Sequence, residues 1–189
     1  MNYLIFRTDR IGDYLITSSL INAIKRNDSN SKISIVASEK NYEFIKEYSY
    51  IDKVFLLKSK KISHRIKLLI ELKKDKFDNI IISDKKNRSI FFSLFLKSNN
   101  KIFNVSKEYQ ERILKFFFKK FFLDNDNQVN KSIRKNLSEN CRSLGFELKD
   151  EDFHYLKINQ FKKEFAQSEQ INIDKLNFIQ FHCDEKWEI

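Results

Sequence analysis

The segment RTDRIGD, residues 7–13, holds the charged side chains best placed for chemistry near the amino terminus. Arg7 and Arg10 suit phosphate or carboxylate groups, because a guanidinium forms paired hydrogen bonds with such anions. Asp13 follows Gly12, one of only two glycines in the chain. Glycine permits a tight turn or a close backbone approach, and an aspartate can cap the helix that follows. The segment therefore predicts a turn before a helix, with charged groups around it.

Short apolar runs that favour β-structure alternate with segments of helical period, which is the pattern of a parallel α/β sheet. Each run is almost continuously apolar, as expected for strands that are covered on both faces. The sequence thus predicts a Rossmann-like parallel sheet flanked by helices. The predicted strands are YLIF (3–6), ISIVA (33–37), KVFLL (53–57), NIIIS (79–83) and KIFNV (101–105), with a later one at NFIQF (177–181).

Apolar residues spaced three and four apart predict the core-facing sides of the helices. The last of these predicted stripes ends at Gly145, a candidate left-handed cap, and it places Cys141 in the core. Residues 124–130, DNDNQVN, are the best candidate for a linker. The four stripes are Ile16, Leu20, Ala23 and Ile24; Ile62, Ile66, Leu69 and Ile70; Leu114, Phe117, Phe118 and Phe121; and Ile133, Leu137, Cys141 and Leu144.

These elements predict where the charged segment lies. The first strand should end near Phe6 and the helix should begin near Asp13, with Gly12 in the tight turn between them. A helix N-terminus at the carboxyl edge of the sheet is suited to anionic groups. From spacing alone, Asp13 and Gly12 could simply cap the helix and turn the chain, and the single glycine does not make a dinucleotide-binding fingerprint.

Composition favours an anionic partner and argues against some classes of site. The chain has 36 Lys and Arg against 26 Asp and Glu, with a formal net charge of +10, 19 Phe and no Pro. Part of this compositional bias resembles genome-wide drift toward a few residue types. The net positive charge still favours an anionic partner, such as nucleic acid, an anionic membrane or a phosphorylated substrate. The two cysteines form no CxxC pair, which fits a reducing compartment and argues against zinc. With no apolar run near bilayer length and an N-terminal run too short for a signal peptide, a cytoplasmic location is expected.

The sequence resembles the glycosyltransferase family 9 enzymes, the heptosyltransferases of bacterial lipopolysaccharide core synthesis. RTDRIGDYLITSSLINAIKR is similar to their opening strand, R-x-D-R-x-G-D turn and helix, and KISIVASEKNYEFIKEYSYIDKVFLL to their second strand, helix and third strand. FDNIIISDKKNRS resembles their fourth strand and the following loop, in which an Arg-Ser pair recurs as Arg88-Ser89. FIQFHCDEKW resembles the start of their second domain.

This resemblance implies the GT-B architecture, in which two Rossmann-like domains face each other across a cleft. Residues 1–170 would form the N-terminal, acceptor-side domain, and residues 171–189 the start of a truncated nucleotide-sugar-binding domain. The implied reaction is inverting, metal-independent transfer of a sugar from a nucleoside diphosphate to a lipopolysaccharide core or related, lipid-linked saccharide. The nucleotide sugar would be a substrate, with no further cofactor, and the chain alone is expected to be inactive because the leaving-group contacts come mostly from the missing domain.

The resemblance also implies roles for particular residues. Asp13 occupies the position of the catalytic base in the family, with Gly12 beside it in the substrate-binding turn. Lys186 corresponds to the lysine that reaches the donor phosphates, and His182 is either a site residue or a packing residue at a strand end. Arg7, Arg10 and Arg88, expected on loops at the carboxyl edge, are either ligands for acidic groups of the acceptor or ordinary surface charges.

Other readings of the chain stay open. In ERILKFFFKKFFL (111–123), lysines are interleaved with phenylalanines. This segment is a helix that covers the sheet, a basic amphipathic face on the anionic inner membrane, or, least favoured because its aromatics crowd one helix, a nucleic-acid-binding element. His64 and His154 are expected to be exposed or locally bonded. The rival to a transferase is a non-catalytic Rossmann-like remnant or binding module, followed by a basic nucleic-acid-binding protein.

Overall fold

The computed structural model describes residues 1–58, 61–84, 86–103 and 133–153. Within these residues, five strands form one parallel sheet in the order β3-β2-β1-β4-β5. The predicted parallel α/β fold is therefore confirmed. The strands are β1 (Asn2–Arg7), β2 (Lys32–Ser38), β3 (Lys53–Leu57), β4 (Asn79–Ile82) and β5 (Asn100–Phe103).

Helices connect and follow these strands. The longest, α1, begins at Ile11, directly after the loop that leaves β1. A single 3₁₀ turn, Asp150–Phe153, closes the described part of the chain. The helices are α1 (Ile11–Asn27), α2 (Tyr42–Lys46), α3 (Ile62–Leu72), α4 (Asn87–Leu94) and α5 (Ile133–Ser143).

Strand β1 is the centre of the sheet and of the core. Its Ile5 pairs in register with Ile35 of β2 on one side and Ile81 of β4 on the other. All three side chains are fully buried, and burial of each isoleucine stabilises the fold by about 1.5–3 kcal/mol. The near-continuous apolar runs predicted these strands to within about two residues because both faces of the sheet are covered.

Helix α3 packs mainly with a different side from the one predicted, and of the predicted stripe only Leu69, which is partly buried, contacts the core. Ile62, Ile66 and Ile70 are 72%, 55% and 57% exposed, whereas Leu68 and Leu72 are buried. Residues two positions apart in an α-helix, such as Ile66 and Leu68, lie about 200° apart around its axis, so the two sets face opposite ways. The helix carries two apolar sides, and the leucine side is the one that covers the sheet.

The end of α5 is as predicted. Leu137 and Cys141 are buried, and burial raises the pKa of the Cys141 thiol to about 12. Gly145 has a φ of 87° and donates its N–H to the Arg142 carbonyl at 2.9 Å. The Phe146 N–H reaches the Cys141 carbonyl at 3.0 Å, which completes a Schellman cap.

An ion pair fastens the 3₁₀ turn to α1. Arg26 donates from Nε and Nη2 to the two carboxylate oxygens of Asp152, at 2.9 and 2.8 Å, and Asp152 is buried. Asn22, one turn earlier on α1, donates to the Asp152 carbonyl at 2.9 Å. This contact holds the segment after α5 against the first helix.

Several predictions lie outside the described residues. These are the segment 111–123, the linker at 124–130, the strand at 177–181 and the domain boundary at residues 170 and 171. Among the described residues, no helix has the length and apolarity needed to cross a bilayer.

Candidate functional site

A pocket of about 370 Å³ opens at the carboxyl edge of the sheet, where the strand order reverses. The chain runs from β1 outward to β2 and β3, then returns to the other side of β1 as β4. Such a switch point leaves a crevice between the diverging loops, and ligands of open α/β sheets bind there. The pocket is lined by Thr8, Asp9, Arg10, Asp13, Ser38, Glu39, Lys40, Leu57, Lys86 and Arg88.

Asp13 lies in this pocket and also supports the start of α1. It is the third residue of the helix, and its Oδ2 accepts the backbone N–H of Arg10, the cap residue, at 3.3 Å. Its side chain is only partly buried. The structure thus brings together two properties that the sequence offered as alternatives, because a carboxylate that steadies the helix also faces a binding pocket.

Gly12 does not form the predicted tight turn. It is the second residue of α1, so the turn consists of residues 8–10. Among the described residues only Gly145 is a glycine with positive φ, so left-handed backbone does not explain Gly12. A Cβ at Gly12 would meet no atom within 4 Å. Its predicted contact with substrate stays a prediction.

Arg7 does not project from a loop as expected. It is the last residue of β1 and only 8% exposed. Its Nε donates to the Thr17 hydroxyl at 2.7 Å, and its Nη1 donates to Asp9 Oδ2 and to the Ser83 carbonyl, both at 2.8 Å. These hydrogen bonds make Arg7 a support for the residues that line the pocket. Its predicted contact with an acceptor stays a prediction.

Asp9 is a second carboxylate of the pocket, which the sequence analysis left out. Its Oδ2 accepts from Arg7, and its Oδ1 is buried with no hydrogen-bond partner among the described residues. Burial raises the pKa of Asp9, and the nearby charge of Asp13 raises it further, while Arg7 lowers it. Its position four residues before Asp13 in RTDRIGD is the signal that could have indicated it.

Asp84 ties the loop after β4 to the loop after β1. Its Oδ2 accepts the hydroxyl and the N–H of Thr8, at 2.5 and 3.3 Å, and the hydroxyl of Ser89 at 2.6 Å. Arg88, in the first turn of α4, donates from Nη2 to the Thr8 hydroxyl at 3.0 Å and to the Thr8 carbonyl at 3.3 Å. Arg88 is therefore a helical residue of the pocket wall rather than a loop residue.

Lys86 adds a cation that the sequence analysis also missed. Its Nζ donates to the Thr8 carbonyl at 2.8 Å. Burial and the neighbouring Arg88 lower the pKa of Lys86, and the carboxylates of Asp9 and Asp84 oppose this effect. Partial burial removes water from the Lys86 ammonium and strengthens its interaction with an opposite charge. An anion bound beside it would therefore be stabilised more than at an exposed lysine.

The third loop of the pocket is fixed by Asn41. This buried residue caps α2, donates from Nδ2 to the Arg7 carbonyl at 2.8 Å and accepts the Ser38 N–H at 2.9 Å. The loops after β2 and β4 are thus both hydrogen-bonded to the end of β1 or to the loop that follows it. The result is a preformed site with four cations, Arg10, Lys40, Lys86 and Arg88, and three carboxylates, Asp9, Asp13 and Glu39.

This arrangement suits a polar ligand that carries both hydroxyl and acidic groups. The carboxylates can accept protons or hydrogen bonds from hydroxyls, and the cations can bind phosphate or carboxylate groups. Within the described residues, no three His, Cys, Asp or Glu side chains come together as metal ligands would. Two further candidate site residues, Lys186 and His182, lie outside the described residues.

Comparison with known proteins gives a shared fold. No protein-family model and no curated protein matches the sequence. The structure of E. coli heptosyltransferase WaaC with ADP-2-deoxy-2-fluoro heptose matches at a TM-score of 0.64 with 16% identity, covering 79% of this chain and 50% of that one. A glycosyl transferase family 9 protein from Veillonella parvula matches at 0.64 with 16% identity, covering 90% and 50%. E. coli ADP-heptose lps heptosyltransferase II matches at 0.59 with 13% identity, again covering 90% and 50%.

The chain therefore spans about half the length of the heptosyltransferase structures that it matches. At these identities the likeness concerns the fold, and it confirms at that level the resemblance to family 9 seen in the sequence. The described residues have the Rossmann-like parallel α/β fold found in GT-B glycosyltransferases.

Proposed function

We propose that this chain is the N-terminal, acceptor-binding domain of a family 9 glycosyltransferase of the heptosyltransferase kind. The observation that carries the proposal is the position of Asp13, whose carboxylate lines a preformed pocket at the switch point of the sheet. The RTDRIGD motif and the fold shared with heptosyltransferase structures support it. The E. coli WaaC structures that share the fold contain ADP-2-deoxy-2-fluoro heptose or ADP, which supports a nucleotide sugar as donor.

In the proposed reaction, a hydroxyl of the acceptor attacks the anomeric carbon of the donor sugar. The new carbon–oxygen bond forms as the bond from that carbon to the diphosphate breaks, which inverts the anomeric centre. The hydroxyl proton passes to the carboxylate of Asp13, and the electron pair leaves with the nucleoside diphosphate. A positioned base of this kind accelerates a reaction by roughly 10²–10⁴-fold.

Asp9 would act beside Asp13 without taking the proton itself. The charge of Asp13 is close enough to help raise the pKa of Asp9, and Arg7 donates to one oxygen of Asp9. The other oxygen is buried without a partner among the described residues, and we propose that a bound acceptor exposes it and donates a hydrogen bond to it from a second hydroxyl. Such a contact would orient the sugar for attack, which is the main requirement for a bimolecular transfer.

The acceptor that fits this pocket is an acidic saccharide. Arg10, Lys40, Lys86 and Arg88 surround the carboxylates and would bind its phosphate or carboxylate groups. A lipopolysaccharide core or a related lipid-linked saccharide has this chemistry. On the donor side, Lys186 would contact the diphosphate without a metal ion, His182 would be a further substrate-binding residue, and most donor contacts would come from a second domain. For this reason we expect the 189-residue chain alone to give no measurable turnover.

A cytoplasmic enzyme at the inner membrane would meet such an acceptor. The lysines and phenylalanines of 111–123 would provide peripheral contact with the anionic membrane face. The proposal gives no role to nucleic acid.

Acceptor binding by the chain itself tests the proposal. We expect a phosphorylated core oligosaccharide that contains the acidic sugar Kdo to bind the chain in isothermal titration calorimetry. Its affinity should fall by about 5- to 50-fold in Lys86→Gln. Lys97→Gln, which replaces an exposed lysine outside the pocket, is the matched control and should bind as the parent does. Equal binding by parent and Lys86→Gln, or no binding by the parent, would contradict an acceptor site here.

A further inference from the structure

Two helices present large apolar side chains to solvent. On α3, Ile62, Ile66 and Ile70 are 72%, 55% and 57% exposed, and at the end of α4, Phe91 and the C-cap residue Phe95 are 57% and 46% exposed. Spacing by four places each set along one side of its helix. These five residues are called the outer apolar face below.

Both helices cover the same side of the sheet. Leu68 and Leu72 of α3 and Ile90 and Phe92 of α4 belong to one core cluster. Since the inner sides of the two helices pack on the same core, their outer sides face the same way. The cluster also contains Leu4 and Phe6 of β1, Val36 of β2, Phe55 and Leu57 of β3, and Ile80 and Ile82 of β4.

The surroundings of this face are basic. Glu71 is the only acidic residue within α3. Asp75, just after the helix, is already paired with Lys53 at 2.8 Å. The exposed lysines in and beside the helix are Lys58, Lys61, Lys67, Lys73 and Lys74.

We propose that the outer apolar face binds the surface of an anionic lipid bilayer. Isoleucine and phenylalanine side chains would enter the boundary between headgroups and acyl chains, and the flanking lysines would lie at the level of anionic headgroups. Exposed apolar residues on two helices at the same side of the sheet, with lysines in and beside α3, mark an interaction surface whose charge is complementary to such a bilayer. The outer apolar face contains none of residues 111–123, and the proposal does not depend on the transferase reaction.

Sedimentation of the 189-residue chain with vesicles tests this proposal. The chain should sediment with vesicles of phosphatidylethanolamine and phosphatidylglycerol, and much less with vesicles of phosphatidylcholine alone. Binding should weaken as salt is raised, because screening reduces the attraction between lysines and headgroups.

A pair of matched variants identifies the surface. Ile66→Ser with Ile70→Ser removes two apolar side chains from α3, and should lower the partition coefficient at least about fivefold. Ile11→Ser with Leu15→Ser removes an equally spaced pair from α1, where the two side chains are 39% and 47% exposed, and should bind as the parent does. Because all four positions are exposed, both variants should keep the circular dichroism spectrum of the parent.

Several results would overturn the proposal. One is a parent chain that does not sediment with the anionic vesicles or that binds phosphatidylcholine equally well. Another is equal loss in the α1 and α3 variants. If Lys115, Lys119 and Lys120 to Glu abolishes binding while the α3 variant keeps it, the contact belongs to 111–123. If ultracentrifugation shows a dimer that only the α3 variant dissociates, and vesicle binding is absent, the face joins two copies of the chain.

Discussion

The carboxylate of Asp84 accepts both the hydroxyl and the amide N–H of Thr8, at 2.5 and 3.3 Å, and so joins the segment after β4 to the segment after β1. The Ser89 hydroxyl binds the same oxygen at 2.6 Å. Asp84 is buried, so each of these donors loses water in the folded state and depends on this one carboxylate. The contact fixes the two loops between which the pocket opens.

Asp84→Asn should therefore destabilise the fold. An amide keeps the size of the side chain, but if its oxygen stays with the Thr8 and Ser89 donors, its NH₂ group faces the Lys86 N–H, which donates to Oδ1 at 3.2 Å in the parent. We expect a loss of about 1–3 kcal/mol in the free energy of unfolding, and a thermal midpoint lower by several degrees. Glu43→Gln, at a side chain that is 79% exposed, is the control and should change the midpoint little. Equal midpoints for Asp84→Asn and the parent would show that the clamp adds no stability.

The ion pair between Arg26 and Asp152 should make stability fall in acid. Burial raises the pKa of Asp152, but hydrogen bonds from Arg26 and the Lys149 N–H outweigh it, and the net pKa lies below its ordinary value. A group with a depressed pKa in the folded state contributes stability above its unfolded pKa of about 3.9, and that contribution is lost as the pH falls through the folded value.

Arg26→Gln checks this ion pair by urea unfolding. At pH 7 the variant should be less stable by about 1–3 kcal/mol, because the buried carboxylate keeps only part of its partners. The difference from the parent should shrink as the pH falls from the ordinary pKa of an aspartate through the depressed pKa of Asp152, because protonation removes the charge that Arg26 stabilises. A difference that is the same at pH 7 and pH 3 would exclude an electrostatic contribution.

Asp9 should have the opposite pH dependence. Its pKa is raised by burial and by Asp13, against the effect of Arg7, so ionisation of Asp9 opposes folding. The stability contributed by its protonated form is present below the unfolded pKa and is lost as the pH rises through the folded value. Relative to the parent, Asp9→Asn should thus gain stability between pH 4 and pH 7, since its oxygen can still accept from Arg7.

Paired thermal melts of Asp9→Asn and the parent at the two pH values measure this gain. A difference that stays constant, or that favours the parent more at pH 7, would contradict the raised pKa. If the gain is found, the site holds a carboxylate at a cost in stability, as functional sites commonly do.

The fold was predictable from the sequence because buried parallel strands appear as continuous apolar runs. The side of α3 that packs was not, since Ile66 and Leu68 both belong to helical stripes and periodicity alone does not choose between them. The choice depends on how the crossover from β3 to β4 lies on the sheet, which involves residues distant in sequence. The buried stripe of α5 and its cap at Gly145 were predicted because each is specified by neighbouring residues.

The site was predictable only in part. The position of Asp13 followed from its place after a strand, and the motif indicated its chemistry. Arg7 was misjudged because its partners, Thr17 and the Ser83 carbonyl, come together only when the sheet forms. Lys86 was missed for the same reason, because its position beside Thr8 depends on the adjacency of β1 and β4.

The most direct test of the account is the initial rate of sugar transfer by Asp13→Asn, measured beside the parent in a complete two-domain version of the protein. Asparagine keeps the size of the side chain and can still accept the Arg10 N–H, so the thermal midpoint should stay near that of the parent. It cannot take the hydroxyl proton, so the rate should fall by roughly 10²–10⁴-fold. A near-parental rate with an intact fold would remove Asp13 from the mechanism and leave it with the support of α1 alone.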